Sequence, residues 1–106
     1  MNKLKEDSFL KILRIIHKDS KTTQRVIANN LNFSLGKLNF LLNELKNKGF
    51  VKIKNFNAKE NKLKSLRYIL TPKGLALRTK LLSLFVKRKF NEYEELKNEL
   101  ENKKNK

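Results

Sequence analysis

The sequence contains no cysteine, so neither a disulfide nor a thiolate metal site is open to it. Histidine occurs once, as His17, and a transition-metal site with one imidazole has too few preferred ligands. The three glycines, Gly36, Gly49 and Gly74, are scattered, which excludes a phosphate-cradling glycine loop. Long apolar runs are missing as well. The opening stretch MNKLKEDSFLKILRIIHKD is broken by charges every few positions, so neither a secretory signal nor a membrane span is expected. The absence of cysteine suits a reducing compartment, and the predicted location is cytoplasmic.

Acids are scarce in the middle of the chain. Between Leu45 and Asn91 the only carboxylate is Glu60, whereas five of the ten acids fall within Glu92–Glu101. Against those ten stand 26 Lys and Arg, a formal net charge of +16 on 106 residues. A field of that sign attracts polyanions. Codon bias toward Lys and Asn can raise the total, but it does not explain a basic middle followed by a mixed-charge tail. Two surfaces with different jobs do. Catalytic chemistry finds no footing. His17 falls at a helix end, where an imidazole near the last carbonyls is favourable anyway. Glu92, Glu94, Glu95 and Glu99 form a run suited to solvent, or to pairing with Lys97 and Lys103. No enzymatic activity, cofactor or metal is expected.

What the chain does contain is periodic. At this length it is one small domain with a modest core and an appended element. Phe9, Ile12, Leu13 and Ile16 recur at helical spacing, predicting a helix from about Ser8 to Lys18, with Glu6, Asp7 and Ser8 at its positive end. A second helix is expected from about Thr23 to Leu31, with Val26, Ile27 and Leu31 inward and Thr22 as N-cap. Only Asn32 and Phe33 separate it from a third, with Ser34 as N-cap, Phe33 and Leu38 at hydrophobic-staple spacing, and Gly49 as the left-handed stop. Two helices joined this tightly are a helix–turn–helix candidate. After Gly49 the period changes to 2. FVKIKNF and LKSLRYIL, with Val51, Ile53, Leu66, Tyr68 and Leu70 on the inner face, predict an antiparallel hairpin joined by the polar NAKENK. Thr71-Pro72 restarts a helix, Thr as N-cap and Pro at the first helical position.

That last helix has no evident stop before about Glu101, a length of roughly 45 Å at 1.5 Å per residue. Leu82, Val86, Tyr93, Leu96 and Leu100 approximate an a/d seam with Lys89 as the gap, and Phe85 and Phe90 widen it. The stripe either folds back on its own domain or meets a partner, and a second copy of the same helix is the simplest partner.

Three predicted helices carry a cation in the first turn, where an acid would be better: Arg25, Lys37 and Lys73. Together they suggest helix ends that face anions. On the third helix Leu38, Leu41, Leu42 and Leu45 point one way. Gly36, Phe40, Asn43 and Asn47 point the other, flanked by Lys37 and Asn39. Asn can hydrogen-bond adenine and an aromatic ring can touch a thymine methyl, so this face suits DNA. The competing placement tucks Phe40 under the hairpin.

Helix, helix–turn–helix, two-stranded wing and long C-terminal helix, in that order, resemble the MarR-type winged helix–turn–helix regulators. TTQRVIANNLNFSLGKLNFLLNELKNKGFVKIKNF and LTPKGLALRTKLLSLFVKRKFNEYEELKNEL are similar to the small EPS-associated MarR-family regulators of bacteria. S-L-G-K and L-T-P-K-G are the most specific parts, and the likeness runs from about Phe9 to Leu100. It implies an α+β, mostly helical protein with a winged helix–turn–helix DNA-binding domain over 1–71 (wing about 50–70) and a dimerisation helix over 72–106. The implied function is transcriptional regulation by a homodimer on double-stranded DNA, at exopolysaccharide or surface-polysaccharide genes.

By position, Ser34, Gly36, Lys37, Asn39, Phe40 and Asn43 would face the groove. Thr23, Gln24 and Arg25 would touch backbone, and Lys59, Asn61, Lys62 and Lys64 would form the wing. Leu82, Phe85, Val86, Phe90, Tyr93, Leu96 and Leu100 would form the dimer interface. Larger MarR proteins use N- and C-terminal helices together and hold small ligands between their two parts. Here little precedes the first helix, so no pocket for a small-molecule effector is expected. An RNA-binding winged helix and a protein–protein interaction module are the alternative functions.

Overall fold

In the computed structural model, which describes residues 3–55 and 66–104, six elements follow one another as the periodicity suggests. They are α1 (Lys3–Lys18), α2 (Gln24–Leu31), α3 (Leu35–Asn47), β1 (Val51–Asn55), β2 (Leu66–Leu70) and α4 (Pro72–Lys104). The first helix begins earlier than its caps suggested, so Ser8 lies within it and caps nothing. Tertiary ion pairs hold the extra turn. Lys5 Nζ lies 2.6 and 2.8 Å from the two carboxylate oxygens of Glu44 on α3, and Asp7 takes a 2.7 Å bond from Arg88 on α4. Asp7 therefore works across the fold and does not serve a helix end.

Three helices bury one face each into a common core: Phe9, Ile12, Leu13 and Ile16 from α1, Ile27 and Ala28 from α2, Leu38, Leu41, Leu42 and Leu45 from α3. Each fully buried Leu, Ile or Phe contributes about 1.5–3 kcal/mol. The α2 expectations need two corrections. Thr23, not Thr22, is the N-cap and accepts from the Val26 N–H at 3.3 Å, while Thr22 is buried with its hydroxyl unpaired. Val26, expected inward, is 44 % exposed, because Ile27 and Ala28 take the core-facing side of the helix. The helix ends on Asn32 in the left-handed conformation, which Asn tolerates.

β1 and β2 pair antiparallel, with Val51 opposite Leu70 and Ile53 opposite Tyr68. Val51 and Tyr68 reach the core, and burial pushes the Tyr68 phenol above its ordinary pKa. Ile53, predicted inward, is 36 % exposed, although Tyr68 opposite it is buried.

The junction of α3, β1 and α4 is closed by backbone geometry. Gly49 takes φ 83°, Phe50 N–H donates to the Leu45 carbonyl at 2.9 Å and Gly49 N–H to that of Lys46 at 3.0 Å, a Schellman end. Thr71 caps α4 by accepting from the Gly74 N–H at 3.0 Å, and its hydroxyl donates to the Gly49 carbonyl at 2.6 Å. Gly74 packs so closely that a Cβ there would stand 2.0 Å from the Phe50 carbonyl oxygen.

α4 is 33 residues long, about 50 Å. Its start packs on the domain through Leu77, Leu81, Leu82 and Phe85, and the rest projects beyond it. The molecule accordingly measures 70 × 25 × 23 Å, and its radius of gyration of 17.7 Å exceeds the ~13 Å of a compact chain of this size. Leu82 and Phe85, expected in a dimer seam, are thus partly covered by their own domain. Val86, Phe90, Tyr93, Leu96 and Leu100 are 57–65 % exposed. No helix among the described residues is long and apolar enough to cross a membrane.

Candidate nucleic-acid interface

The two faces of α3 differ completely. Leu38, Leu41, Leu42 and Leu45 are buried, while Leu35, Gly36, Lys37, Asn39, Phe40, Asn43 and Asn47 are exposed. Phe40 is 60 % exposed, so it does not tuck under the hairpin. Its ring lies 5.8 Å from Lys5 Nζ, which also holds Glu44, the only acid of α3. That pairing leaves the outward face of α3 without an uncompensated negative charge.

Ser34 caps α3 as expected, accepting from the Lys37 N–H at 3.1 Å, and no acid occupies the first turn. Lys37 rests its ammonium 4.1 Å from the centre of the Phe33 ring, so the cation is held beside the helix N-terminus. A Cβ on Gly36 would meet nothing within 4 Å. The glycine weakens the helix, and no packing within the chain requires it. Leu35, 53 % exposed, escaped the sequence reading. The signal was present, since Leu35, Asn39 and Asn43 recur every four residues along one stripe.

Thr23, Gln24 and Arg25 stand together at the start of α2, Arg25 exposed at the second helical position and Thr23 engaged as the cap. Lys59, Asn61, Lys62 and Lys64 lie outside the described residues. On the wing, Lys52 and Lys54 of β1 are exposed. Lys73 does not present a free cation to an anion. Its ammonium donates to the Lys48 carbonyl at 2.9 Å and lies 5.0 Å from the Phe50 ring centre. The negative end of α3 lies beside the start of α4, and Lys73 neutralises it. L-T-P-K-G is therefore a structural joint.

Among the described residues no group of His, Cys, Asp and Glu is placed to hold a metal. His17 is exposed at the end of α1, and Glu92 pairs with Lys89 at 3.3 Å. A cleft of about 340 Å³ opens between α1 and α4, over Leu10, Leu81 and Leu84 and beside the Asp7–Arg88 pair. The sequence had suggested no such space.

Residues 10–52 match a family model described as "Winged helix-turn-helix DNA-binding". No curated protein matches the chain by sequence. Among solved structures, a mutant MarR from E. coli complexed with operator DNA is similar at 25 % identity and TM-score 0.61, over 73 % of this chain and 53 % of that one. MarR of Staphylococcus aureus, in complex with salicylate and kanamycin, has 23 % identity and TM-score 0.64, over 81 % and 55 %. ZitR of Lactococcus lactis has 20 % identity and TM-score 0.65, over 87 % and 60 %. The chain spans just over half the length of these relatives. The chain has a winged helix–turn–helix fold with a long C-terminal helix, and over most of its length it is laid out as in the MarR structures.

Proposed function

We propose that this protein is a transcriptional regulator of the MarR family that binds double-stranded DNA sequence-specifically as a homodimer in the cytoplasm. In this reading α3 enters the major groove and the wing lies beside it. The observation that carries it is the outward face of α3: Asn39, Phe40 and Asn43 exposed on a rigid, leucine-anchored helix, with Lys37 at its N-terminus. Asn side chains read adenine edges, an aromatic ring contacts thymine methyls, and a helix N-terminus with a cation attracts phosphate. The matched domain and the operator-bound MarR relative support the same assignment. Lysines across a chain of charge +16 supply sequence-independent affinity, and the few groups on α3 supply choice. The exposed apolar stripe of α4 supports pairing with a second copy. Polysaccharide biosynthesis genes are the proposed targets, on the strength of the S-L-G-K and L-T-P-K-G resemblance.

The test is operator binding by Lys37→Ala and Asn43→Ala. Asn43→Ala should cost about 1–3 kcal/mol on the cognate site and relax discrimination at one base pair. Lys37→Ala should weaken binding and flatten its salt dependence. Both variants should keep wild-type helicity and mass. Unchanged affinity in both, or displacement of duplex DNA by structured RNA of equal length, overturns the assignment.

A further inference from the structure

The apolar stripe of α4, exposed except at the half-buried Leu82, has a symmetry of its own. Leu82 and Leu100 lie nine residues either side of Asn91, Val86 and Leu96 five, and Lys89 and Tyr93 two. We infer that two copies of α4 pair antiparallel in a register centred on Asn91, so that Leu82 meets Leu100, Val86 meets Leu96 and Lys89 meets Tyr93. The inference rests on the homodimer reading above and specifies its geometry.

Charge selects this orientation. Residues 72–90 carry Lys73, Arg78, Lys80, Lys87, Arg88 and Lys89 and no acid, whereas 91–101 carry five Glu and only Lys97. Antiparallel pairing lays the basic half of each helix along the acidic half of the other. Parallel pairing lays like on like, and it sets Lys89 against Lys89 inside an apolar seam. In the antiparallel register Lys89 faces Tyr93, where its stem covers the ring while its ammonium stays with Glu92, already 3.3 Å away.

Symmetry gives a second, independent reason. α4 packs on its own domain chiefly through Leu77, Leu81, Phe85 and Arg88, with Leu82 at the edge of that contact. At about 100° per residue, the stripe of Val86, Tyr93, Leu96 and Leu100 lies roughly a quarter-turn round the helix from that face. A parallel two-fold axis runs along the helices and throws the two domains onto opposite sides of the pair. An antiparallel two-fold axis crosses the helices and puts both domains on one side. Leu81 is ten residues from the centre, so the two copies of Leu81 lie about 30 Å apart along the pair. The domain-facing row also continues past the domain as Glu92, Glu95 and Glu99, three carboxylates that the antiparallel dimer turns toward the partner's basic domain.

The absence of native cysteine makes the test clean. Val86→Cys and Leu96→Cys are made separately at positions 57 % and 65 % exposed, where neither disturbs the core. The two proteins are mixed under reducing conditions, allowed to exchange and then mildly oxidised. The antiparallel register puts position 86 beside position 96 of the other copy and leaves like positions about 15 Å apart, beyond the ~7 Å a disulfide spans. The expected product is the mixed disulfide, with each variant alone remaining uncrosslinked. Like-with-like disulfides show a parallel pair and overturn the inference while sparing the homodimer. A dimer by sedimentation that forms no disulfide of either kind overturns the register. A monomeric wild-type chain overturns the homodimer reading itself, and this inference with it.

Discussion

Gly36→Ala should make this protein more stable and a poorer DNA binder. Gly36 is the second residue of α3, and a Cβ built there meets nothing within 4 Å. In that open space the methyl costs no packing, and it removes the conformational entropy that a helical glycine forfeits, a gain of about 0.5–1 kcal/mol. For a domain of this size that raises Tm by about 2–8 °C. If the groove of DNA occupies the open space, the same methyl stands between the α3 backbone and the duplex. Affinity for the cognate site should then fall tenfold or more, about 1.4 kcal/mol. Thermal unfolding followed by circular dichroism reads the first effect and fluorescence anisotropy with labelled duplex reads the second. Stabilisation with undiminished affinity would show that nothing approaches Gly36 and would remove the α3 N-terminus from the interface. Loss of stability would show that the space around Gly36 is not open.

Other perturbations separate structural groups from binding groups. Thr22→Val keeps the shape of a buried side chain and removes an unpaired hydroxyl, so denaturant unfolding should show a gain of about 1 kcal/mol. Gly74→Ala drives a Cβ into the Phe50 carbonyl, and the same experiment should show a loss of about 2–3 kcal/mol or no folded protein. Lys73→Ala removes the cation beside the end of α3 and should cost about 0.3–1 kcal/mol of stability with DNA affinity unchanged; a large loss of affinity would return Lys73 to the interface. Breaking the Asp7–Arg88 pair by Asp7→Asn should cost no more than about 1 kcal/mol in 0.15 M salt, since both side chains are one-third exposed.

The parts of the fold legible in the sequence are those set by local chemistry. Ser34 and Gly49 delimit α3 through side-chain and backbone bonds made within a few residues, and both ends lie where the residue types place them. The leucine face of α3 and the stripe of α1 follow from helical period alone. Misplaced features depend on contacts distant in sequence. The first turn of α1 is held by Glu44 and Arg88, 39 and 81 residues away, and nothing near Lys3 announces them. Thr22 and Thr23 are equally good caps by residue type, and core packing decides which is buried. Lys73 looked like an anion-seeking cation because its first turn lacks an acid; only the fold brings the Lys48 carbonyl to it. Within the candidate site, Phe40 follows the helical wheel, whereas Leu35 is an apolar residue whose type alone points to a core.

Competition binding on the protein's own genomic sites is the decisive measurement. Sites mapped by crosslinking and sequencing are made as short duplexes and titrated against scrambled duplexes of equal composition at about 0.15 M salt. Specific recognition by α3 predicts at least a 10³-fold preference for the mapped duplex and a log–log salt slope that is negative for both. It also predicts one dimer bound across two half-sites about one helical turn apart. Equal affinity for mapped and scrambled duplexes would contradict it, leaving a basic chain that binds polyanions without reading them.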